Sequence, residues 1–148
     1  MDKWIAQQLE DVRDKEIAEQ RKLEAENRNA KRLSALAKRY WESLMSTLDD
    51  FAKQWSSGTG THVALIFHSL TEQHLKYGLD RIIIQFESAT NRIYTKRIVQ
   101  GSECPTLCYP LHEVQGECAV KYQNEGYLLP SELAQKIFSP VVCVGRGN

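Results

Sequence analysis

Four residues with metal-binding side chains fall within one short stretch, Cys104, Cys108, His112 and Cys118, spaced C-x3-C-x3-H-x5-C. A tetrahedral zinc ion takes thiolate sulfur and imidazole nitrogen, usually from two close pairs separated by a longer loop. Here the set is compressed, Pro105 and Pro110 stand between its members, and no C-x2-C pair occurs. That pattern fits small apolar thiols on strands and loops, with a histidine at the surface, better than a zinc centre. The four residues remain the metal candidates, and the expectation is that no metal or other cofactor is held.

Other chemistry is thinner still. His62, His68, His74 and His112 include candidates for a general base. Ser69 and Thr71 lie beside His68, and Glu103, Glu113 and Glu117 lie near His112, but neither group carries a nucleophile elbow or an acid pair. Gly58-Thr59-Gly60 follows a helical pattern and precedes a strand, the reverse of a phosphate loop. Gly145-Arg146-Gly147 at the chain end reads as a turn. Basic residues between Arg28 and Arg39 suit phosphate contacts, yet no supporting basic face follows, so nucleic acid is not the expected partner.

The elements that must position these residues begin with a segment lacking glycine and proline through residue 57. It predicts one helix from about Asp2 to Ser57, stopped by Gly58. At about 1.5 Å per residue such a helix is roughly 80 Å long. A following domain of about 90 residues is only roughly 25–30 Å across. The expectation is an arm, residues 1–32, protruding from a domain of residues 33–148, with 33–57 as the core part of the same helix. Leu33, Leu36, Tyr40, Leu44, Leu48, Phe51 and Trp55, flanked by Ala37, Trp41 and Ala52, form the core stripe.

Ile5, Leu9, Val12, Leu23, Ala30 and Leu33 form a thinner seam in the first half, interrupted by Glu16, Glu19 and Glu26. Residues 1–27 carry eight acids and five bases, whereas 28–39 carry five bases and no acid. Antiparallel pairing of two copies lays acidic start against basic middle, while parallel pairing stacks like on like. A solvated, fraying helix and a helical hairpin broken near Asn27-Arg28-Asn29 are the alternatives.

Beyond Gly58, His62–Ser69 reads as a buried strand. Ser69-Leu70-Thr71-Glu72 matches a capping box, so Thr71–Tyr77 reads as a helical turn ended by Gly78, with a plain loop as alternative. Arg81–Ser88 and Arg92–Gln100 form a hairpin, and Thr106–Tyr109 is a short edge piece between two prolines. Gly116–Gln123 alternates, Asn124-Glu125-Gly126 turns into Tyr127–Leu129, and Leu133–Phe138 is a short helix stopped by Pro140. Val141–Val144 is a tail that packs or pairs, and Gly145–Asn148 is loose. The order argues for an α+β fold: a long N-terminal helix, an antiparallel β-sheet of four to six strands and a short C-terminal helix. One sheet face is covered by helices, and the other is a candidate partner patch.

Charge is balanced at 19 basic and 19 acidic residues, so no overall field draws the chain to nucleic acid or membrane. Apolar runs are too short for a membrane span, and Met1-Asp2-Lys3-Trp4 leads into alternating charges rather than a signal peptide. A cytoplasmic protein with reduced cysteines is expected. The leading functional expectation is a non-enzymatic protein–protein interaction or assembly module. It self-associates, as a dimer, or docks another protein through Ile5, Leu9, Val12, Leu23, Ala30 and Leu33. The rival is a small metal-dependent or hydrolytic enzyme centred on Cys104–Cys118.

Overall fold

The structure is a computed structural model and describes residues 2–122 and 126–145. The turn expected at 124–126 falls largely outside these residues, as does the end of the chain beyond 145. The chain divides into two compact units, Met1–Leu33 and Ser34–Asn148. Helix α1, Lys3–Thr59, contributes to both. The fold is α+β, with α1 first, then an antiparallel sheet, then helix α2, Pro130–Gly145.

Local chemistry sets the ends of α1. At its start, the Asp2 carboxylate accepts the Trp4 backbone N–H at 2.8 Å, an N-cap contact. At its end the helix runs past Gly58 to Thr59. Gly60 supplies the left-handed cap instead, at φ 72°, with its N–H donating to the Ser56 carbonyl at 2.9 Å. Ser56 also stitches the chain onward: its hydroxyl donates to the Val63 carbonyl at 2.9 Å and accepts the Val63 N–H at 3.0 Å.

Eight strands follow: β1 Val63–Ser69, β2 Glu72–Tyr77, β3 Asp80–Glu87, β4 Arg92–Val99, β5 Ser102–Glu103, β6 Leu107–Val114, β7 Glu117–Lys121 and β8 Tyr127–Leu128. They pair in the order β1-β2-β3-β4-β6-β7-β8, a meander of antiparallel neighbours, with β5 on the end of β4. The expected hairpin over residues 81–100 is β3–β4. Gln100-Gly101 and Gln115-Gly116 turn the chain with positive φ at both residues, the twist that two-residue hairpins need.

The strand count exceeds four to six mainly because residues 72–77 form a strand rather than a helical turn. Leu75 and Tyr77 both enter the core, and only a period of two puts residues two apart on one face. Ser69 does bond the Thr71 N–H, at 3.2 Å, but as part of the tight β1–β2 turn and not as a helix cap. Strand β1 is an edge strand, buried at Val63 and open at Ile66, Phe67, His68 and Ser69, so it is less buried than its composition suggested.

Proline also behaves differently from expectation. Strand β6 runs through Pro110, yet each half of it has its own partner: 107–110 pair with β4, and 111–114 pair with β7. At Pro110 one side of the strand is therefore still an edge, which is where a missing N–H is tolerated. Helix α2 passes through Pro140 instead of stopping there. A prolyl ring inside a helix removes one backbone hydrogen bond and crowds the carbonyl four residues back. In the preceding turn Ser139 donates its hydroxyl to the Gln135 carbonyl at 2.8 Å. Continuing the helix then buries Val141 in the core, so the expected tail from Val141 is helix.

Both helices cover one sheet face. Tyr40, Trp41, Leu44, Met45 and Leu48 of α1 are buried with Leu75, Ile82, Ile84, Ile93 and Val120 of the sheet and Leu133, Ile137 and Phe138 of α2. Trp41 stacks on Phe86 at 5.7 Å, and Phe51 and Trp55 meet Phe138 edge-on at 5.7 and 6.2 Å. Tyr40 donates its hydroxyl to the Leu128 carbonyl at 2.9 Å, joining α1 to a strand 88 positions later. Trp41 donates its indole N–H to the Leu70 carbonyl at 2.9 Å, which holds the β1–β2 turn.

Candidate functional site

The sequence-derived candidates separate into two groups. In unit Met1–Leu33, Ile5, Leu9, Val12 and Leu23 are 46, 47, 52 and 60 % exposed. Ala30 is exposed and Leu33 half-buried. Helical periodicity aligns the first four along one stripe. Trp4 and Ile17, which the seam did not include, are also exposed, at 69 and 48 %. They lie on flanking faces of the helix, so a search confined to three-to-four spacing passes over them.

The cysteine–histidine set does not converge. Cys108 and His112 share the outer side of β6 but sit four residues apart, about 13 Å along a strand. Cys118 lies opposite Glu113 in the β6–β7 register, so it points to the face that His112 does not. It is buried there with its thiol pKa pushed up to about 11, chiefly by desolvation, which keeps it a weak ligand and nucleophile. Cys104 instead lines a cavity of about 550 Å³ with Cys143, Arg97, Tyr109 and Lys136. The second cavity of note, about 670 Å³, is lined by Trp41, Met45, Phe67, Leu70 and Phe86. Its floor is apolar, and Lys38, Glu42, Gln73 and Asn91 also line it.

A tighter constellation lies on the sheet face away from the helices. In register, Ile66 faces His74, His74 faces Ile83, Glu72 faces Gln85, and Lys76 faces Arg81. The face is thus a mixture of apolar and charged residues rather than a continuous apolar patch. Near its β1 edge the imidazoles of His68 and His74 stack at 3.7 Å with planes 25° apart. His74 Nε2 lies 2.9 Å from a Glu72 carboxylate oxygen, and Gln85 donates its amide to the other oxygen. Arg81 approaches His74 Nδ1 at 3.4 Å. His74 is only 6 % exposed, while His68 is open to solvent.

These contacts act on Glu72 in one direction. The hydrogen bond from Gln85, then that from His74, hold its carboxyl below the usual glutamate range, with His68 adding a smaller electrostatic contribution. Among the described residues, His68, Glu72 and His74 form a group whose ligand atoms all lie within 4.8 Å of one another.

The histidines alone did not reveal this group, because residues 72–77 read as a helical turn. Reading them as a strand supplies the missing signal. Alternation then places Glu72 and His74 on one face, beside the end of β1.

No protein-family model, curated protein or solved structure matches the chain. No described helix is long and apolar enough to cross a membrane.

Proposed function

We propose that the chain is a non-enzymatic assembly module that pairs with a second copy of itself through residues 1–32. The observation that carries this reading is the stripe of Ile5, Leu9, Val12 and Leu23, each about half exposed, on one helical unit. Within that unit such a stripe has no layer against it, whereas the stripe from Ala37 to Ala52 has the sheet. A seam this thin forms a weak coiled coil, with Glu16, Glu19 and Glu26 where apolar knobs are wanted.

Charge supplies the orientation. Net negative residues 1–27 and wholly basic charges at 28–39 complement each other in an antiparallel pair, which also places the seam glutamates towards the partner's basic segment. Exposed ion pairs contribute little each, so their role is choice of orientation rather than strength.

Sedimentation equilibrium of the full chain tests the reading. The expected mass is twice the chain's 17.0 kDa at high micromolar concentration, falling towards a single chain on dilution. A monomer at every concentration refutes it.

A further inference from the structure

We propose that His68, Glu72 and His74 bind a zinc-class divalent transition-metal ion on the open face of the sheet, leaving at least one coordination position to water. Two imidazole nitrogens and one carboxylate oxygen make the three-ligand set that such ions take in open sites. Ions that prefer all-oxygen shells, such as magnesium and calcium, are poorly served by it.

Three features build the site. The first is a bulge. Phe67 pairs with Gln73 and Ser69 with Glu72, so His68 has no partner across the ladder. An unpaired bulge residue is free to re-aim its side chain. The His68 ring now lies stacked over His74, nearly parallel to it, and on binding must turn about its side-chain bonds to bring a nitrogen lone pair onto the shared ion. The second is spacing: the three ligand atoms lie within 4.8 Å of one another before any ion is present. His74 Nε2 and the facing Glu72 oxygen are 2.9 Å apart, and tetrahedral ligands with bonds of about 2.0–2.2 Å stand about 3.3–3.6 Å apart, so a small opening of this hydrogen-bonded pair admits an ion. The third is outer support. Gln85 holds the second Glu72 oxygen and so turns the first towards the histidines.

Arg81 opposes binding, and that makes the site testable. A guanidinium only donates, so its contact with His74 Nδ1 places the ring proton on Nε2, shared with Glu72. Metal binding at Nε2 requires the neutral ring to carry its proton on Nδ1 instead, and Arg81 must swing away. Removing the guanidinium should therefore strengthen binding, an effect that a merely structural hydrogen-bond network does not produce.

The experiment uses the full-length chain, reduced and metal-free, titrated with zinc by calorimetry and with cobalt by visible absorption. One equivalent is expected, with cobalt d–d bands and no sulfur-to-cobalt charge transfer. His68→Ala and Glu72→Gln should each weaken zinc at least tenfold, and Arg81→Gln should tighten it about tenfold. His112→Ala should change nothing. His68 is exposed, so its variant keeps the fold, and far-ultraviolet circular dichroism checks this for each protein. Absence of binding at 100-fold excess zinc, sulfur charge transfer, or affinity indifferent to His68→Ala overturns the proposal.

Discussion

Replacing Leu9, Val12 and Leu23 together by glutamine is the sharpest perturbation of the proposed pairing. Glutamine is neutral and close to leucine in helix propensity, and better than valine, so neither charge nor the helix itself is compromised. The three side chains are 47, 52 and 60 % exposed, so roughly half of each remains to be covered by a partner. Full burial of such a side chain is worth about 1.5–3 kcal/mol, which leaves about 1 kcal/mol for the half still open. Six side chains across two copies then contribute about 6 kcal/mol, or about four orders of magnitude in the dissociation constant. Sedimentation equilibrium over a wide concentration range should read the triple variant as a monomer where the parent is a dimer. Thermal unfolding of unit Ser34–Asn148 should be unchanged, because none of the three residues belongs to it. An unaltered dimer constant would refute the seam, and a collapsed melting transition would refute the independence of the core from it.

Further outcomes concern the core and the sheet face. Tyr40→Phe removes the hydroxyl that reaches the Leu128 carbonyl and should cost about 1–2 kcal/mol, read as a lower urea midpoint at unchanged m-value. Pro140→Ala restores a helix N–H that proline lacks, a gain of about 3 kcal/mol offset by a freer unfolded chain and a lost ring, so a net stabilisation of about 1 kcal/mol is expected. Chemical denaturation read by circular dichroism measures it, and a loss of stability would show that the ring's packing dominates. Glu72 has a folded-state pKa below its unfolded value, so its contribution is complete above about pH 4.3 and is lost as pH falls through the depressed folded value. Glu72→Gln should therefore flatten the fall in stability between neutral pH and about pH 3, and identical pH slopes would count against the Gln85 and His74 contacts.

Much of the fold was legible because its signals are local. Fifty-seven residues without glycine or proline, rich in alanine, leucine, glutamate, lysine and arginine, favour helix at nearly every position, and α1 follows. Its stripe from Ala37 to Ala52 announced the helix-covered face of the sheet, and the two runs around residues 89–91 announced the β3–β4 hairpin. Strand β2 was not legible, since its capping-box look competed with a weak alternation that only burial of Leu75 and Tyr77 resolves. Nor was the course of α2, where burying Val141 outweighs the local cost of Pro140.

The amino-acid sequence by itself determined a long polar helix with a thin apolar seam and segregated charge, because periodicity and propensity act over a turn or two of chain. Which chemistry-bearing residues meet was decided only by tertiary structure. Strand register and one bulge bring His68 to Glu72 and His74, while the same alternation sends Cys118 to the opposite face from His112. A one-residue slip in pairing would reverse those placements, and the tight turns hold the register only together with the burial of one sheet face, which the folded structure alone supplies.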